Sequence, residues 1–105
     1  MSKILLRYLP LFRDDLEEAV TYIRDTLQNP KAANDLIDAV EEAIINRSFN
    51  PESFEQYHSL KQREYPYYRI YVKNYVIYYV VISGEQQIME MRRFLYNKRN
   101  RDAII

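Results

Sequence analysis

The chain has 105 residues, the size of one domain, and its 48 % hydrophobic and 29 % charged content excludes a disordered segment. No apolar run approaches the ~20 residues a membrane helix needs, and the lack of cysteine excludes disulfides, thiolate metal sites and a cysteine nucleophile. The formal net charge is zero, yet residues 1–62 hold seven Lys/Arg against eleven Asp/Glu, and residues 63–105 hold eight against four.

That asymmetry gives the C-terminal half a positive field suited to an acidic protein segment or a nucleic-acid backbone. The plainer alternative is that sheet loops carry arginine for solubility. The N-terminal MSKILLRYLP is broken at Arg7 and Pro10 and lacks a signal-peptide pattern, so a cytoplasmic location is expected.

In chain order, Lys3–Leu9 reads as a short first strand. Pro10 ends it and suits the first turn of a helix, where its missing N–H is not needed. Phe12, Leu16, Ala19, Val20, Ile23 and Leu27 recur every three or four residues, one apolar stripe on a helix of about five turns. Asp14, Asp15, Glu17 and Glu18 near its start read as a solvated helix beginning rather than as acid–base machinery. Asn29-Pro30 then supplies a cap and a first-turn proline for a second helix reaching about Arg47, with Ala33, Leu36, Ile37, Val40, Ala43 and Ile44 as its stripe. Two amphipathic helices joined so closely form an antiparallel hairpin.

Phe49-Asn50-Pro51 stops the second helix, and residues 51–64 show no period and read as a loop. The lone histidine, His58, lies there and reads as a surface residue. One histidine without cysteine assembles no metal set, and one glycine makes no phosphate-cradling loop. No cofactor is expected.

Residues 65–99 organise the rest. Seven of the eleven tyrosines fall between Tyr65 and Tyr79. Tyr67–Val72, Tyr75–Ile82 and Gln87–Phe94 read as three strands. Lys73-Asn74 makes the first turn between them, with Asn expected to take the positive φ. Ser83 to Gln86, holding the single glycine, makes the second. Such short connections predict an antiparallel meander. Both faces of the middle strand are apolar: Tyr75, Ile77, Tyr79 and Val81 on one, Val76, Tyr78, Val80 and Ile82 on the other. One face is expected to pack on the helices and the other to stay exposed unless something covers it. Arg92, Arg93, Lys98, Arg99 and Arg101 follow, with no acid between residues 92 and 101. The tail ends in Ile104-Ile105, a pair that docks on the core or serves a partner.

This order of strand, helix hairpin, three antiparallel strands and basic tail resembles the RelE/ParE superfamily, the toxins of bacterial type II toxin–antitoxin systems. The resemblance is carried by Tyr68-Arg69-Ile70-Tyr71-Val72 with Asn74-Tyr75, by Tyr78-Tyr79, by Arg93-Phe94-Leu95-Tyr96-Asn97-Lys98-Arg99-Asn100, and by Asn50-Pro51-Glu52-Ser53 after the second helix. It implies an α+β fold of order β-α-α-β-β-β, one toxin domain over residues 1–105, and a small acidic antitoxin as partner. RelE-like members cut mRNA in the ribosomal A site, using basic residues around the phosphate. ParE-like members share the fold, and characterised ones poison DNA gyrase.

Carried over by position, the first basic residue of the RelE second strand matches Arg69. The next falls on Tyr71, and the arginine early in the third strand falls on Val76. The basic residue after the last strand matches Arg99, with Lys98 beside it. The terminal catalytic tyrosine has no counterpart near Ile105. On the ParE side Arg93 matches, while Tyr96, Asn97 and Asn100 replace the His, small residue and Asp of that pattern. The resemblance therefore implies the ParE-like branch, with Arg69, Tyr71, Arg93, Tyr96, Lys98, Arg99 and Arg101 as target contacts. Under the RelE alternative, Arg69, Lys98 and Arg99 are catalytic and the partner is the ribosome and its mRNA. Cleavage through a 2′-hydroxyl needs a base, and only His58 or a perturbed tyrosine offers one; arginine does not deprotonate at neutral pH. A third reading, a plain RNA-binding sheet, lacks the glycine–aromatic signature on its inner strand. The antitoxin is expected on the apolar second sheet face, the strand edges and the basic cluster.

Overall fold

The structure, a computed structural model, describes residues 4–57 and 64–98. His58, Arg99, Arg101 and the terminal isoleucines, all singled out above, lie outside the described residues.

Strand β1 spans Leu5–Tyr8, helix α1 Pro10–Thr21, and helix α2 Pro30–Ser48. Four strands follow: β2 Gln56–Tyr57, β3 Tyr67–Val72, β4 Tyr75–Ile82 and β5 Ile88–Tyr96. They form one sheet of order β1-β5-β4-β3-β2, in which β1 runs parallel to β5 and the other neighbours are antiparallel. The expected meander is present. The two-residue β2 is an addition, since residues 51–64 were expected to be loop throughout. Gln56 and Tyr57 pair with Tyr68 and Tyr67, a non-local contact that leaves no period in so short a segment.

The first helix stops earlier than its stripe suggests. After Thr21 the chain takes one wide π turn over Tyr22–Thr26, closed by Leu27 N–H donating to the Tyr22 carbonyl at 3.0 Å. The inserted residue rotates the downstream side chains off the apolar stripe, so Leu27 is 55 % exposed instead of buried. Gln28 then turns with φ 51°. Asn29 caps α2, its Oδ1 accepting from Ala32 N–H at 3.1 Å. Asn29→Ala is expected to cost about 1 kcal/mol, read as a thermal midpoint some 4–8 °C lower by circular dichroism. An unchanged midpoint would mean the proline alone sets the helix start.

In the β3–β4 turn, Lys73 rather than Asn74 adopts positive φ, at 52°. Asn74 instead supplies the carbonyl that accepts from Asn97 N–H at 2.8 Å and ties the end of β5 to this turn.

The helices cover one sheet face. Phe12, Leu36, Val40 and Ile44 pack on Ile70, Ile77, Tyr79, Met89, Met91 and Phe94. The other face was expected to be exposed unless something covered it, and the structure shows it covered. Val76, Tyr78, Val80 and Leu95 are all 0 % exposed, with Tyr67, Tyr57, Tyr65 and Ile82 in the same cluster. The β2 segment brings Tyr57 edge-on to Tyr78, ring centroids 5.5 Å apart.

Candidate target-binding face

The face away from the helices carries arginines from β1, β3 and β5, and a β-bulge in β5 puts Arg93 among them. Tyr79 pairs with Met91 but Tyr78 pairs with Arg93, so Arg92 is an extra residue in β5. Strand alternation alone would send Arg92 and Arg93 to opposite faces. The bulge breaks the alternation. Arg92 reaches back to Glu90, while Arg93 joins the cross-strand row Arg69–Tyr78–Arg93.

Each guanidinium of β1 and β5 on this face is held by a carboxylate. Glu90, 4 % exposed, accepts from Arg7 Nε at 2.6 Å and from Arg92 Nε at 2.7 Å. Asp15 of α1 accepts from Arg93 Nε at 2.7 Å and Nη2 at 3.0 Å, and from the Phe94 N–H at 3.0 Å. The last bond has a topological origin. β1 ends opposite Met91, so beyond it the β5 edge has no strand neighbour on that side, and Asp15 takes the amide instead. Asp15 is therefore not part of a solvated helix start, and α1 has no acid in its first turn. Its hydrogen bond raises the Arg93 pKa further above the ordinary arginine value, against the opposing effect of burial.

Across the sheet, the Arg69 guanidinium lies 5.0 Å from the Tyr57 ring centroid and 5.8 Å from that of Tyr71, within cation–π range. Tyr71 is 58 % exposed, and Lys98 is exposed in the turn after β5. Arg69, Tyr71 and Arg93 thus share one face. Tyr96 does not: it pairs with Tyr75 and packs edge-on to that ring at 5.6 Å, on the helix side of the sheet. Val76, where the RNA-cutting branch places an arginine, is fully buried in the row Tyr71–Val76–Leu95.

Sequence reading missed Arg7, Glu90, Arg47 and the role of Asp15. A single charge inside an apolar strand, as in Leu-Leu-Arg-Tyr and Ile-Met-Glu-Met, was the available signal for the Arg7–Glu90 pair. Arg47, in the last turn of α2, donates to the Arg69 carbonyl at 2.9 Å and the Tyr79 hydroxyl at 3.0 Å, and lies 3.5 Å from the Phe54 ring centroid. It locks the segment before β2 onto β3. Tyr79 OH donates onward to the Pro51 carbonyl at 2.6 Å.

Chemically, this face gathers the guanidiniums of Arg7, Arg92 and Arg93 around two carboxylates, with that of Arg69 across the sheet. Glu90 and Asp15 are each occupied by guanidinium donors. On the opposite, helix-covered side, burial pushes the Tyr8, Tyr75 and Tyr79 phenols above the ordinary tyrosine pKa.

The comparisons agree with this architecture. The fold is similar to a chain of the chromosomal ParDE toxin–antitoxin system from P. aeruginosa, with a TM-score of 0.65, 9 % identity, and coverage of 90 % of this chain and 96 % of that one. Among curated proteins no sequence match is found. The sequence profile described as "ParE toxin of type II toxin-antitoxin system, parDE" matches residues 6–101. With nearly its whole length matched, and with the helix hairpin, the meander and the parallel β1–β5 pair in place, the chain belongs to the ParE toxin family of type II toxin–antitoxin systems.

Proposed function

We propose that this toxin arrests growth by binding an essential target, DNA gyrase, through the arginine-bearing sheet face, and that a small acidic antitoxin neutralises it by covering that face. The supporting observation is that, among the described residues, the carboxylates beside Arg7, Arg92 and Arg93 are already occupied by guanidinium donors, while Val76 fills a position where RNA cleavage needs a cation. Losing one preorganised charge at a phosphoryl transition state costs on the order of 3–4 kcal/mol, or a factor of 10² to 10³. Two are replaced here, at Tyr71 and Val76. Arg69, Tyr71, Arg93 and Lys98, with Arg99 and Arg101, then serve as contacts rather than catalysts. Gyrase and a cytoplasmic site of action go together in this reading.

The test is a pair of assays on purified protein. Gyrase supercoiling is expected to fall, and the effect to weaken with Arg69→Ala or Arg99→Ala in folded variants. Primer extension on translated mRNA is expected to show no new cuts. Strong codon-dependent cuts abolished by the same substitutions would transfer the protein to the RNA-cutting branch.

A further inference from the structure

On the helix side of the sheet, a cleft of about 740 Å³ opens between the π turn, the start of α2 and the β3–β4 turn. Its walls are aromatic. Tyr75 stacks on Phe94 at 4.8 Å and 12°, Tyr96 stands edge-on to Tyr75, and Tyr22 faces them from the π turn. Tyr22 and Tyr96 are 52 % and 42 % exposed, large apolar areas to leave wet. The cleft is acidic as well. Glu18 lines both it and an adjoining depression that holds Asp14 and Glu17, and no lysine or arginine lines either. Among the described residues, Asp14, Glu17 and Glu18 form no ion pair. Aromatic faces beside unpaired carboxylates attract a cation that carries apolar surface.

We propose that this cleft docks a segment of the antitoxin that presents a lysine or arginine side chain among apolar residues. The proposal rests on the toxin–antitoxin reading above and adds a second surface with the opposite charge preference. An antitoxin that is acidic overall satisfies both, its carboxylates on the arginine face and one basic side chain in the cleft. Asp15 makes the two surfaces neighbours, because it lines the cleft while holding Arg93. A single chain running past the end of β5 meets both.

The test has two arms. In the first, isotope-labelled toxin is titrated with benzamidine, benzyl alcohol and benzoate, which share a ring and differ in charge. Benzamidine is expected to shift the Tyr22, Asn74 and Tyr96 amides at the lowest concentration, and Glu18→Gln to weaken this several-fold. Equal or stronger shifts from benzyl alcohol or benzoate would overturn the cation preference. In the second arm, affinity for the small protein encoded beside the toxin is measured. Glu18→Lys and Tyr96→Ala are expected to weaken it at least tenfold, and Glu42→Lys, on an exposed part of α2, to leave it unchanged. A wild-type complex that both cleft variants match would overturn the docking site while leaving the toxin–antitoxin reading intact. No wild-type complex at all would overturn that reading and the proposed occupant with it, and the benzamidine arm would still report on the cleft itself.

Discussion

Asp15→Ala is expected to destabilise the protein by about 3 kcal/mol, far more than any neighbouring acid. The carboxylate takes three donors, two from Arg93 and one from the Phe94 backbone. Removing it strands a guanidinium that is 20 % exposed and leaves an edge amide without its acceptor. Breaking a buried pair from one side costs roughly 3–5 kcal/mol, and the residual exposure of Arg93 places this case at the low end. For a domain of this size the thermal midpoint should fall by about 12–24 °C. Asp15→Asn retains one acceptor and should lose less. Asp14→Ala, at an exposed position on the same helix, should stay within about 0.5 kcal/mol. Equal effects of Asp14→Ala and Asp15→Ala in chemical denaturation would return Asp15 to a solvated role.

Tyr78→Ala is the second large effect expected, about 4 kcal/mol. The ring is fully buried on the sheet face away from the helices, beside Tyr57 and Tyr67 at centroid distances of 5.5 and 6.3 Å. Large-to-small aromatic substitutions in a core cost about 3–5 kcal/mol, combining lost transfer energy with a residual cavity. Tyr71→Ala, two residues beyond Arg69 and 58 % exposed, should cost under about 1 kcal/mol. The pair distinguishes a covered second face from an open one. A loss below about 1 kcal/mol for Tyr78→Ala would falsify the covered face.

Much of the fold was legible because it is written in local chemistry. The Asn29-Pro30 cap, the α2 stripe from Ala33 to Ile44, and the tyrosine-rich strands with their short turns follow from spacing and side-chain preference alone. The family resemblance likewise rested on residues in sequence order. Less of the candidate site was legible. Arg69 and Arg93 were found as basic residues on strands, and the register places them on either side of Tyr78. Tyr96 was grouped with them, yet it lies on the other side of the sheet. The pairing of Arg7 with Glu90 and of Asp15 with Arg93 escaped notice because the partners lie 83 and 78 residues apart.

The sequence by itself determined the helix hairpin, the three-strand meander, the helix cap, the apolar faces and the excess of positive charge near the C-terminus, because each depends on residues within a few positions of one another. Tertiary structure alone decided the rest. It set β1 parallel to β5, whose edge beyond Met91 then required Asp15. It placed the bulge at Arg92 that turns two successive arginines to one face. It brought in Tyr57 on β2 to cover Tyr78, and the π turn that opens an acidic aromatic cleft. Each of these depends on which segments meet across the sheet, and local propensity carries no record of such meetings.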